Sequence, residues 1–363
     1  MKVMTILGTR PEIIRLSLII GKLDALLERH ILVHTGQNYD YALSDHFFEQ
    51  MGIREPDYRL TTGAHSFGRQ IGQMFAQVEQ VIVREQPDRI LVLGDTNSAL
   101  CAILGERMGI PVFHMEAGNR CHDTRVPEEI NRKIIDAVST FNLPYTSLSR
   151  DNLLREGVNP QRIWVTGNPI YEVLWHYHEQ IEQSPILHRL GLRKEEYVLV
   201  TAHRAETVDH PSRLKVVVEG LHLIAERLKI SVICSIHPRT RERIMQFGIT
   251  ARDPRIRFCQ PFGFFDFIRL QKGALCVVTD SGTVQEESCI LGIPAVTIRQ
   301  STERPETILC GSNTLAGLDA QRIAESVRLM TRTGKMWQRP EGYTVPNVSD
   351  KVSTMIAGGL HYV

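Results

Sequence analysis

Short aliphatic and β-branched runs alternate along this chain with longer segments whose apolar residues recur every three or four positions. That alternation predicts strands separated by amphipathic helices, the pattern of parallel sheets covered on both faces. In the first half the predicted strands are residues 3–7, 30–34, 90–93, 112–115 and 163–165, with helical periodicity over 71–85 and 97–108. Asn168-Pro169 breaks this series, and a charged helical stretch follows. A second series then predicts strands at 197–200, 231–235, 256–259, 275–278 and 295–298. The chain therefore reads as α/β, with two doubly wound Rossmann-like domains at 1–168 and 169–345. A last helix, within 346–363, has no assigned partner; packing back on the first domain is one of its two choices.

Polar residues fall repeatedly where strands end. Gly8-Thr9-Arg10-Pro11 follows the first strand and Thr35-Gly36-Gln37 the second, while Gly94-Asp95-Thr96-Asn97 and Glu116-Ala117-Gly118 follow the next two. In the second half the endings are Ala202-His203-Arg204, His237-Pro238-Arg239 and Asp280-Ser281-Gly282. Ligands of open parallel sheets bind outside the carboxyl ends of strands, so these endings predict a site in a cleft between two sheet edges. At the Gly8 turn, amide groups and Arg10 suit an anion at a helix start, although a tight turn with a solvated Arg explains the same residues. Ser281 and Gly282 open a second such helix start. Glu286 and Glu287 in that helix are either ordinary helix-start acids or a clamp for ribose hydroxyls. Glu128 and Arg132, spaced i, i+4 after Pro127, read either as a salt-bridged helix start or as part of a carboxylate cluster with Glu116 and Asp95. Such a cluster in a partly dry cleft spreads its pKa values and supplies both an acid and a base.

Composition narrows the partners. The 363 residues are 42% hydrophobic and 23% charged, with 42 Lys plus Arg against 41 Asp plus Glu, a formal net charge of +1. That balance gives no reason to expect nucleic acid or an anionic membrane. No apolar run is long enough to span a bilayer, and Arg10 and Glu12 interrupt the opening apolar run too early for a signal peptide. Seven cysteines with no CxxC pair fit buried thiols in a reducing cytoplasm. The chain has no HExxH, no Cys/His quartet and no GxGxxG at its first turn, so neither a metal nor a nicotinamide cofactor is expected.

Eight motifs in order then carry a resemblance: GTRPE at 8–12, GDT at 94–96, HMEAG at 114–118, PEEINR at 127–132, HR at 203–204, HPRTR at 237–241, DSGTVQEE at 280–287 and STERPE at 301–306. The chain resembles the bacterial non-hydrolysing UDP-N-acetylglucosamine 2-epimerases. The resemblance implies a GT-B type fold, a homodimer, and inversion at sugar C2 by eliminating UDP to 2-acetamidoglucal and adding it back. It implies that Asp95, Glu116, Glu128 and His203 are catalytic. It also implies that Arg10, Arg15, Arg132, Phe267, Ser281, Gly282, Glu287 and Arg304 bind the UDP-sugar. Arg15 stands where the family often has Lys, and the two are not equivalent charges. Gln37-Asn38-Tyr39-Asp40 stands where regulated members carry a Gln-His pair for an activating second UDP-sugar. That run and Gly118–Cys121 resemble a sister group acting on UDP-2-acetamido-2,6-dideoxy-hexoses. A GT-B glycosyltransferase and a non-catalytic sugar-nucleotide sensor are the readings from other classes.

Overall fold

The computed structural model describes residues 1–37, 41–62, 66–333 and 335–359, with only the backbone of 41–44 and 205. It divides into two compact units, 1–175 with 341–363, and 176–340. The first holds a six-stranded parallel sheet of β1 (Lys2–Leu7), β2 (Arg29–His34), β3 (Tyr58–Arg59), β4 (Arg89–Leu93), β5 (Val112–Met115) and β6 (Phe141–Leu143), in the order β3-β2-β1-β4-β5-β6. The second holds β7 (Tyr197–Thr201), β8 (Ser231–Ser235), β9 (Ile256–Cys259), β10 (Cys276–Thr279), β11 (Ala295–Thr297) and β12 (Asn313–Leu315), ordered β12-β11-β10-β7-β8-β9. Read from its third strand, each sheet runs 3-2-1-4-5-6, so the chain builds one doubly wound topology twice.

Alternation along the strands explains the two covered faces. In β7, Val198 and Val200 join the core with helix Pro211–Leu228, whereas Tyr197 and Leu199 face the opposite cluster with Leu270 and Ile186. Side chains two apart share a face of a strand, and both faces here are apolar because helices cover both. In the first unit Met4, Ile6, Ile90 and Val92 pack with Met74, Val78 and Ile82 of helix Phe67–Glu85. Each such side chain contributes about 1.5–3 kcal/mol on burial.

Three details differ from the sequence reading. Residues 163–165 make only an isolated bridge, Asn142 to Ile163, and Trp164 stacks on Phe141 of β6 at 4.4 Å. The strands β3, β6 and β12 were not foreseen; at two or three residues they are too short to show a period. Helix Pro169–His176 falls almost wholly in the first unit, so the division lies after 175 rather than at 168.

The last helix, Val348–Ala357, belongs to the first unit. Its Asp350 pairs with Lys22 of helix Arg10–Leu26, and Val352 and Ile356 are buried. Arg89, at the start of β4, donates to the carbonyl oxygens of Ile356 and Gly358, so a cation closes the negative end of that helix. No helix among the described residues is long and apolar enough to cross a membrane.

Candidate active site

In each unit the candidate residues collect at the reversal of strand order, where neighbouring connections leave in opposite directions and open a crevice. In the first unit that point lies between β1 and β4, and in the second between β7 and β10.

Helix Arg10–Leu26 begins directly after β1, with Thr9 extended at its N-cap and Pro11 in its first turn. It carries Arg10 at the mouth of the turn, 5.6 Å from the Phe47 ring, and Arg15 one turn deeper. Arg15 is only 2% exposed; it forms an ion pair with Glu116 and lies 5.8 Å from the Tyr145 ring. The same helix buries Glu12, which accepts from the Gly8 amide at 3.0 Å and from the Thr96 hydroxyl at 2.9 Å. Burial raises its pKa to about 7 despite hydrogen bonds from Thr9, Gly8 and Thr96. A carboxyl that titrates near neutrality thus ties the β1 turn to the β4 turn, though it was absent from the expected site residues.

Helix Pro127–Val138 organises the carboxylate side. Glu129, Arg132 and Asp136 share its buried face at spacings of three and four, where an ordinary helix would place aliphatic residues. Arg132 donates to Asp95 Oδ2 from Nε at 3.1 Å and to Glu129 Oε2 at 2.7 Å. Glu129 accepts from the amides of Cys121 and His122 at 3.0 and 3.1 Å. Burial pushes Glu129 up, but those amides and Arg132 hold it below the usual carboxylate range. Asn131 donates to the Asp95 carbonyl at 3.0 Å. Glu128 lies half-buried in the first turn of this helix. The helix therefore brings Arg132 to Asp95 and carries Glu128 in its first turn, while β5 delivers Glu116 alongside β4. A side chain on Gly94 would point to within 4 Å of the Glu116 carboxyl, so that group overhangs the turn carrying Asp95.

In the second unit, Asp280 follows β10 fully buried and accepts from the amides of His203 and Arg204, both at 2.9 Å. Its other oxygen lies 3.1 Å from His203 Nδ1. With Nδ1 turned to that carboxylate, Nε2 of this half-exposed ring is on the side open to a ligand. Burial opposes the Asp280 charge, but His203 and Arg204 bring its pKa down to about 2. Because the folded value is depressed from 3.8, the stabilisation is complete above pH 4 and disappears as pH falls toward 2. We expect Asp280→Asn to cost on the order of 2 kcal/mol at pH 7, a gap that closes as pH falls from about 4 toward 2. Urea unfolding of both proteins across that range checks it; a pH-independent gap would rule it out.

Ser281 caps helix Gly282–Leu291, and Gly282 passes Glu303 so closely that a Cβ would lie 2.5 Å from Oε1. Glu286 and Glu287, adjacent and buried, diverge: Glu286 pairs with Arg304 Nε at 2.7 Å. Arg304 is 4% exposed and also donates to the Glu303 carbonyl, so it braces Glu286. Phe267 lies on helix Phe264–Gly273 and packs beside the cluster containing Tyr197 and Leu199. Of the stretch Gln37–Asp40, Gln37 accepts from the amide and hydroxyl of Ser98 at 3.0 Å, and residues 38–40 lie outside the described ones. Among the described residues, no group of three or more His, Cys, Asp or Glu is placed to hold a metal ion.

With this geometry in place, the chain was compared with known proteins. A family model described as UDP-N-acetylglucosamine 2-epimerase matches residues 24–357. The UDP-N-acetylglucosamine 2-epimerase of Methanocaldococcus jannaschii is 39% identical over 350 residues, covering 94% of this chain and 95% of the relative. The UDP-2,3-diacetamido-2,3-dideoxy-D-glucuronate 2-epimerase of Pseudomonas aeruginosa is 38% identical over 345 residues, covering 93% and 94%. A crystal structure of the Methanocaldococcus jannaschii UDP-GlcNAc 2-epimerase in complex with UDP-GlcNAc and UDP is similar with a TM-score of 0.94. The two are 37% identical over 99% of this chain and 100% of that one.

Proposed function

The chain belongs to the UDP-N-acetylglucosamine 2-epimerase family, a family of isomerases, and from that premise we propose how its own residues interconvert UDP-N-acetylglucosamine and UDP-N-acetylmannosamine. The observation that carries the reading is the carboxylate set of the first unit, each member held by a named cation or helix. Glu116 is paired with Arg15, Asp95 with Arg132, and Glu128 stands on the first turn of the Arg132 helix. A glycosyltransferase needs an acceptor and one base; this set supplies several proton carriers instead.

The proton at C2 of the sugar is too weakly acidic for simple abstraction. Loss of UDP from C1 with the C2 proton gives a 2-acetamidoglucal, and UDP then adds back with a proton delivered to the opposite face. Asp95, Glu116 and Glu128 are the proposed proton carriers for the two faces. In the second unit His203, steered by Asp280, and the Ser281-Gly282 helix start are the proposed partners of the departing diphosphate. Arg10 and Arg132 add positive charge from the first unit. Glu287, buried in the helix that Ser281 and Gly282 open, is the proposed ribose clamp. A homodimer in the cytoplasm is the proposed working form.

The relative from Pseudomonas aeruginosa is named for a sugar decorated differently at C3 and C6, so the substrate panel must include such sugars. Incubated with UDP-N-acetylglucosamine alone in deuterated water, the protein is expected to form the manno epimer with deuterium at C2. Light scattering on the same preparation should give twice the 41.2 kDa chain mass. An absolute need for an acceptor, or turnover confined to other UDP-hexosamines, would overturn the substrate assignment; a mass of one chain would overturn the dimer.

A further inference from the structure

Resting on that reading of the reaction, we propose that His114 and Asp136 form a positioning pair that aims the Asp95 and Glu116 carboxylates. Neither residue is assigned a role above, and with exposures of 0% and 2% neither is placed to touch a substrate. His114 lies on β5, two residues before Glu116. Its Nε2 donates to the Gly94 carbonyl at 2.8 Å, and its Nδ1 lies 2.9 Å from Asp136 Oδ1. A carbonyl accepts only, so the ring carries its hydrogen on Nε2, and its other nitrogen lies against the Asp136 carboxylate.

The pair is anchored on its other side. Asp136 also meets Arg120, whose Nη1 donates to Oδ2 at 2.7 Å, and Arg120 Nε reaches Glu156 at 2.8 Å. Burial pushes Asp136 up, but His114 and Arg120 hold it below the usual carboxylate range.

The bonds reach both catalytic turns. Gly94 has φ +72° and its peptide carbonyl leads directly into Asp95, so the bond from His114 fixes the peptide plane from which Asp95 projects. Asp136 also accepts from the Gly118 amide at 3.1 Å, on the far side of Glu116. Glu116 itself has φ +65°, a conformation that a non-glycine residue keeps only when its surroundings over-determine it. His114 before it and Asp136 after it hold the two ends of that strained residue. One pair of side chains thus joins the end of β4, the end of β5 and helix Pro127–Val138.

The test uses the full-length protein with His114→Gln, Asp136→Asn and the double variant. Each single variant is expected to lose roughly 10- to 100-fold in kcat, the scale seen when the partner orienting a reactive group is removed. KM and the Kd for UDP should stay within about threefold, because the proposed diphosphate partners are mainly in the other unit. If the two residues act as one device, the double variant should be no slower than the slower single. Nitrogen-15 NMR of the ring should show the hydrogen on Nε2 that the Gly94 carbonyl accepts. Wild-type kcat in either variant, multiplicative losses in the double, or UDP affinity and melting temperature falling in step with kcat would each overturn the proposal. So would an Nε2 with no hydrogen. Absence of epimerisation by the unaltered protein would instead remove the underlying reaction, and the ring spectrum would still test the pair.

Discussion

Replacing Asp95, Glu116 or Glu128 by its amide is expected to lower turnover at least about a hundredfold while UDP still binds. Each amide keeps the shape of the acid and removes its capacity to take a proton. The three variants differ in what else they disturb. Glu116→Gln leaves Arg15, at 2% exposure, facing an amide where it had a carboxylate, so part of that variant's loss is expected in stability. Asp95→Asn similarly weakens the hold of Arg132, which keeps Glu129 as a second partner. Glu128 is half-buried in the first turn of its helix. For all three variants hydrogen exchange at C2 is the cleanest measurement. Near-normal exchange in all three would make the carboxylates structural and end the proposed chemistry.

Gly118→Ala is expected to damage the fold more than any of these. Gly118 turns the chain two residues after Glu116 with φ +78°, a region that L side chains avoid. A Cβ there would lie 2.1 Å from the carbonyl oxygen of Ser149 and 2.9 Å from the Leu153 side chain. Both belong to helix Ser147–Arg155, so the clash is with backbone that cannot rotate away. Its amide also donates to Asp136, and any shift of the turn breaks that bond. The combined loss should be about 3 kcal/mol or more, read as a lower urea midpoint for the first unit. A midpoint matching that of the unaltered protein would mean that the turn has room the structure does not show.

Long strands and strand-end motifs were legible in the sequence because each states itself locally. An aliphatic run such as Arg89–Leu93 followed by Gly94-Asp95 needs no tertiary knowledge to read as a buried strand with a polar mouth. The short edge strand β3 has two residues and leaves no such trace. The supporting residues were hidden for a different reason. Glu12 was quoted within GTRPE without a role, since nothing in that motif shows that Thr96, far along the chain, donates to it. Asp136 and His114 are ordinary residues singly, and only the fold places one beside the other. One signal was available: Glu129, Arg132 and Asp136 put charge on the face of a helix whose period demands burial. A charged stripe on an inward face implies a buried polar network.

The return of the last helix to the first unit has a consequence for how the protein is made. The second unit is continuous from 176 to 340, whereas the first is not whole until 341–363 have joined it. A growing chain therefore has every residue of its second unit before it has the closing helix of its first. Until then the buried side of helix Arg10–Leu26 that receives Val352 and Ile356 lacks its cover, and Arg89 lacks the carbonyls that it caps. Domains generally fold as units during synthesis, and here the unit that begins first is also the one whose last element is made last. The carboxylate cluster, built earliest in sequence, stands in the unit that is finished last.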